Sequence, residues 1–90
     1  MPDDNKDEAI KQCIEMLDSV IGDDSVPRNI RRSADEVRGI LSDDKESPGV
    51  RAASVISMLD GISNDPNIPV HTRTLIWGIA SQLETVTVGN

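Results

Sequence analysis

Arg28, Arg31 and Arg38 share one flank of a segment whose apolar residues recur at helical spacing. Three guanidinium groups on one edge can grip a phosphate or an acidic tail through paired N–H···O contacts. Asp35 and Glu36 follow Arg31 and Arg32 at the i, i+4 spacing of ordinary helix-surface ion pairs, each worth about 0.2–0.5 kcal/mol. The expected role of these arginines is therefore a solvated ladder, with an anion-binding edge as the alternative. Arg51 and Arg73 are expected to extend the ladder by bridging to aspartates of neighbouring turns. Asp23-Asp24 and Asp43-Asp44 offer carboxylates of the kind a hard cation takes. A calcium loop alternates its oxygen ligands and closes with a bidentate glutamate, and neither run does so, so capping is expected and no metal.

The remaining reactive side chains are single. His71 is the one histidine. Without a companion cysteine it builds no zinc site, and Asp65 is the only conceivable partner for acid–base work. A surface role is the expectation. Cys13 falls in an apolar stripe between Ile10 and Leu17 and reads as a small hydrophobe. Trp77 lies one position beyond Ile76, at the edge of another stripe. It is expected to plug the core edge; the alternative is an interface anchor, a role in which tryptophan excels. Val70, Leu75, Met16 and Met58 would join it in a patch if exposed. The chain has no glycine-rich phosphate loop, no Cys-x-x-Cys pair and no nucleophile elbow. No catalytic residue and no cofactor is expected.

The elements that must position these groups are helices. Ile10, Cys13, Ile14, Leu17, Val20 and Ile21 trace one stripe from Lys6 to Ile21, with Asp4 or Asn5 as cap and Gly22 as a left-handed stop. A second helix opens at Pro27 or Arg28, with Ser25 as cap, and carries Ile30, Ala34, Val37 and Leu41. Ser47-Pro48 starts a third with Ala52, Val55, Ile56, Leu59 and Ile62. Pro69 or Val70 starts a fourth with Ile76, Ile79, Ala80 and Leu83. Residues 1–5 and 86–90 are expected to fray. Pro27, Pro48 and Pro69 stand 21 residues apart (27 to 48 to 69), each preceded by an aspartate at four positions (Asp23, Asp44, Asp65). Negative charge there suits a helix N-terminus.

Short connections make neighbouring helices antiparallel. The expectation is an all-α chain, one domain over residues 1–90, folded as a four-helix antiparallel bundle or as two stacked helical hairpins. With no Phe, no Tyr and one Trp, the core is aliphatic. A net charge of −7 repels phosphate backbones. The acidic first residues do not suit a signal peptide, and no apolar run approaches the ~20 residues that span a bilayer. A cytoplasmic location without membrane contact follows as the expectation.

The turn chemistry of Asp23-Asp24-Ser25-Val26-Pro27 with Ile30-Arg31, and of Asp43-Asp44 with Val50-Arg51-Ala52-Ala53, resembles HEAT-type helical repeats. In that family the Asp and Arg signature marks alternate helices, whereas here it marks every one. A fuller resemblance rests on Asp7-Glu8-Ala9-Ile10-Lys11, Ser25 to Arg32, Asn64 to Pro69, and Thr72-Arg73-Thr74-Leu75-Ile76-Trp77. Together these look like the archaeal uncharacterised protein family number 0147. That resemblance implies an archaeal source and a small bundle of helices, and it implies no activity. The functional expectation is a non-catalytic protein–protein interaction module or small adaptor. Its partner is another protein or a second copy of itself, and Trp77 is the candidate anchor. The alternative is a nucleic-acid- or ribosome-associated protein using the Arg28, Arg31 and Arg38 edge.

Overall fold

Four helices, α1 (Pro2–Ile21), α2 (Arg28–Leu41), α3 (Pro48–Ser63) and α4 (Val70–Val88), make up the computed structural model, which describes residues 2–88. α1 begins at Pro2, ahead of the expected Lys6, because proline is at home in a first turn whose N–H groups have no partner. Asp4 and Asn5 thus lie inside the helix and do not precede it. α4 runs on through Val88, past the expected frayed start at Val86. Val86 continues the stripe three residues after Leu83 and is buried. Gly89 and Asn90 lie outside the described residues.

The stripes close on one aliphatic core. Ile10, Cys13, Leu17 and Val20 from α1 meet Ile30, Ala34, Val37 and Leu41 from α2; Ala52, Val55, Leu59 and Ile62 from α3 face Ile76, Ile79 and Leu83 from α4. Each helix touches the next, and α4 returns to α1, so the ring is closed as a bundle. Along the α1–α4 seam the paired residues run in opposite directions. Gln12 accepts from Gln82 at 2.7 Å, Cys13 Sγ lies 3.9 Å from the Ile79 carbonyl oxygen, and Asp23 meets His71 at 2.9 Å. That register is antiparallel.

The turns repeat one device. Oδ1 of Asp23 accepts from the Ser25 amide (2.9 Å), Oδ1 of Asp43 from Lys45 (3.0 Å), and Oδ1 of Asp65 from Asn67 (2.8 Å). Each is an aspartate folding the chain back on its own backbone two residues on. The equivalent of Asp23 and Asp65 is therefore Asp43, not the Asp44 picked out by the proline spacing. Pro27 and Ser47 are the N-cap residues of α2 and α3, and Pro48 is the first residue of α3. Pro48 is thus one step out of register with Pro27 and Pro69. Ser47 Oγ accepts from Val50 N at 3.4 Å, the cap expected from sequence. Ser25 caps nothing; its hydroxyl is bonded to Asp23 at 2.6 Å. Gly22 does not adopt a left-handed conformation. Its amide donates to Asp18 at 3.0 Å and carries the helical pattern one residue further.

The two ends of the bundle differ. Val26 and Ile68, each immediately before the last residue of its turn, are buried where turns 22–27 and 64–69 close one end. At the other end the matching residue is Glu46, and residues 42–47 are all exposed.

Candidate functional site

Turn geometry fixes what the arginines can do. Arg51, counted from the cap residue Ser47, occupies the place that Arg73 takes after Pro69 and Arg31 takes after Pro27. Arg51 is 9% exposed. Its Nη1 donates to the Leu41 carbonyl at 2.7 Å, its Nε donates to the Glu46 carbonyl at 3.0 Å, and its Nη2 lies 3.7 Å from Asp7. Arg73 repeats the arrangement, with Nε on the Ser63 carbonyl (3.0 Å) and Nη2 on the Asp65 carbonyl (3.1 Å). Leu41 and Ser63 end α2 and α3, whose last carbonyls have no partner within the helix. Both arginines therefore bond backbone carbonyls of the turns and helix ends, in place of the expected aspartate side chains. Arg31 differs. Its Nη1 stands 3.8 Å from the exposed Asp24, and its buried Nε has no partner.

The Arg28, Arg31 and Arg38 edge is divided by these contacts. Arg38 Nε lies 2.6 Å from Asp18 Oδ1 on α1, a half-exposed ion pair that joins the two helices at the surface. Arg31 turns back to Asp24 and not forward to the Asp35 expected from the i, i+4 spacing. Arg28 and Arg32 are exposed.

His71 Nε2 sits 2.9 Å from Asp23 Oδ2, joining the first turn of α4 to the turn after α1. Asp65, the partner considered from sequence, is instead engaged with Asn67 in its own turn. Cys13 is fully buried, and burial pushes its thiol up to about 11. It fills core space, as expected from its place in the stripe.

Trp77 departs furthest from expectation. It is 58% exposed on the outer face of α4, with Val70 two turns before it at 75%. One residue beyond Ile76 is a 100° step around a helix, and here that step carries the indole out of the core. Leu75, Met16 and Met58 are partly buried and pack against the core. Among the described residues, the large exposed apolar side chains of α4 are thus Trp77 and Val70.

The family model of an uncharacterised protein family, UPF0147, matches residues 1–86. This chain belongs to the UPF0147 family. It is similar to UPF0147 proteins of Methanosarcina acetivorans (56% identical over 88 residues, 98% of this chain and 91% of the relative) and Sulfurisphaera tokodaii (54% over 77 residues, 86% of each). Among solved structures, a UPF0147 protein from Thermoplasma acidophilum superposes with a TM-score of 0.84 at 38% identity, covering 91% of this chain and 96% of that one. A crystal structure of a protein of unknown function gives 0.82 at 47% identity, covering 87% and 89%. The archaeal family and the helical bundle inferred from sequence are both established, and the family has no assigned activity.

In this UPF0147 chain a hollow of about 680 Å³ opens at the end that Glu46 leaves unplugged. Ile10, Ile14 and Leu41 form its floor, while Asp7, Lys11, Asp44 and Lys45 ring it with mixed charge. It is a wide depression with no converging set of acid, base and nucleophile. Among the described residues no group of three His, Cys, Asp or Glu side chains is placed to hold a metal ion. None of the described helices is long and apolar enough to cross a membrane.

The Asp23–His71 contact carries a pH signature. The hydrogen bond from His71, followed by those from the Ser25 hydroxyl and amide, lowers the Asp23 carboxyl from 3.8 to about 2. A depressed carboxyl pKa contributes stability that is complete above the unfolded value and is lost as pH falls through the folded one. Asp23→Asn should be less stable than the wild type at pH 5, with the gap closing between pH 4 and 2. Urea titrations across that range measure the gap, and a gap that stays constant down to pH 2 would contradict the assignment.

Proposed function

We propose that this chain is a non-catalytic, cytoplasmic protein-interaction module whose contact surface is the outer face of α4 around Trp77. One observation carries the reading: the only aromatic side chain of the protein stands 58% exposed, on the same face as an exposed Val70. An indole held in water gives up favourable burial in the monomer, and it recovers that burial when a partner covers it. The helices beneath it are tied at their ends by Arg51 and Arg73, so the face is presented on a rigid support. The arginine edge supports a nucleic-acid role less well, because Arg38 is already paired with Asp18 and the protein carries a net charge of −7.

The test is affinity capture from native archaeal extract with the wild-type protein and with Trp77→Ala, each with and without nuclease. The expected result is a stoichiometric protein that survives nuclease and is lost on Trp77→Ala. Capture that depends on nucleic acid and on Arg28 and Arg31, and is indifferent to Trp77, would overturn the reading.

A further inference from the structure

The two hairpins of the bundle place matching residues 42 positions apart (17 to 59, 31 to 73). Leu17 and Leu59, Val20 and Ile62, Val37 and Ile79, and Leu41 and Leu83 are all buried. The turns that close the hairpins match as well. Gly22 and Asn64 donate to the carbonyls of Asp18 and Asp60, Asp23 and Asp65 to those of Val20 and Ile62, and Arg31 and Arg73 to those of Pro27 and Pro69. By that correspondence Arg31 should hold the carbonyls of Ile21 and Asp23, as Arg73 holds those of Ser63 and Asp65. It holds neither. Its Nη1 stands 3.8 Å from Asp24, and its buried Nε has no partner. Among the described residues no turn amide or side chain reaches the Ile21 carbonyl.

Two differences between the turns account for the open arrangement. Asp24 occupies the place of Pro66, so only the first of these turns offers its arginine a second carboxylate. The Val26 amide donates to the Asp23 carbonyl at 3.1 Å, whereas the Ile68 amide lies 3.5 Å from the Asp65 carbonyl that Arg73 shares. Neither difference holds Arg31 firmly. Asp24 is fully exposed and its ion pair is long, which makes it a weak tie that salt screens. A carbonyl oxygen has two lone pairs, so Asp23 can accept from Arg31 without releasing Val26. A buried N–H without a partner is itself costly, and a guanidinium bonded to backbone carbonyls removes that cost. The open and closed arrangements therefore lie close in free energy, and a small change at Asp24 decides between them.

We propose that Arg31 is a two-position latch on the turn after α1. It stands open on Asp24, and it closes on the Ile21 and Asp23 carbonyls, where it fastens turn 22–27 to the end of α1. Asp24 is the group that holds it open, and loss of that carboxylate's charge closes it. Nitrogen–proton NMR of the full chain resolves the Nε–H of each arginine, and its exchange with solvent reads the latch. The Arg73 Nε–H should be protected, those of the exposed Arg28 and Arg32 unprotected, and that of Arg31 intermediate. Asp24→Asn should slow exchange at Arg31 by about twofold to fivefold, the factor that an exposed ion pair supplies, and leave Arg73 unchanged. Asp44→Asn is the matching change beside Arg51, whose clamp is already closed, and it should leave the Arg51 Nε–H unaltered. Asp24→Asn should also raise Tm more in the wild type than in Arg31→Ala, which has no latch to close. An Arg31 Nε–H already as protected as that of Arg73, one that Asp24→Asn leaves unchanged, or an equal gain in Tm with and without Arg31 would overturn the proposal.

Discussion

Arg51→Ala is expected to lower the free energy of unfolding by about 3 kcal/mol, a fall in Tm of roughly 12–24 °C for a domain of this size. The guanidinium is nearly buried and bonds two carbonyls, one of them the last residue of α2. Removing it leaves both carbonyls without their charged donor at a helix end and opens space behind the 42–47 turn. The same substitution at Arg31 should cost under about 1 kcal/mol, because its ion pair is long and its partner Asp24 is exposed. Thermal and urea unfolding of the two variants, followed by circular dichroism, measures the contrast. Equal losses would mean that the carbonyl clamp contributes little and that arginine packing alone matters.

The second large effect is expected at a turn. Ile68→Ala should destabilise the protein by about 2–4 kcal/mol, the range for truncating a buried isoleucine. Ile68 is 5% exposed and, with Val26, seals one end of the core. The matching turn residue Glu46 is exposed, so Glu46→Ala should change stability by no more than about 0.5 kcal/mol. Chemical denaturation of both variants tests this difference between equivalent positions. A small loss at Ile68 would show that the end of the bundle relaxes into the space left behind.

The helices were legible because each carries a continuous stripe at a period of 3.6, and every stripe found in the sequence faces the core. The turns were legible only in outline. Proline serves equally as the residue before a helix and as its first residue, so the even 21-residue spacing hid a one-residue shift at Pro48. Of the two adjacent aspartates the proline spacing picked out Asp44, and the bond from Lys45 shows that the turn uses Asp43. Val26 and Ile68 escaped notice because turn residues belong to no periodic pattern; an apolar residue immediately before proline in both turns was the available sign. The carbonyl clamps were out of reach for another reason. Leu41 and Arg51 are brought together by the path of the turn, which their separation in sequence does not reveal. Trp77 stood at a stripe edge, where a single 100° step separates core from solvent and composition favours neither.

The unequal ends of the bundle give it a direction along which it loosens. Amide hydrogens exchange with solvent through local openings, and those openings start where few apolar contacts must be broken. At the end carrying Val26 and Ile68, lifting the chain exposes two buried side chains. At the opposite end, the exposed residues 42–47 are held down chiefly by one arginine. Deuterium uptake should therefore spread inward from the last turn of α2 and the first turn of α3, with the far end of the same two helices the slowest to exchange.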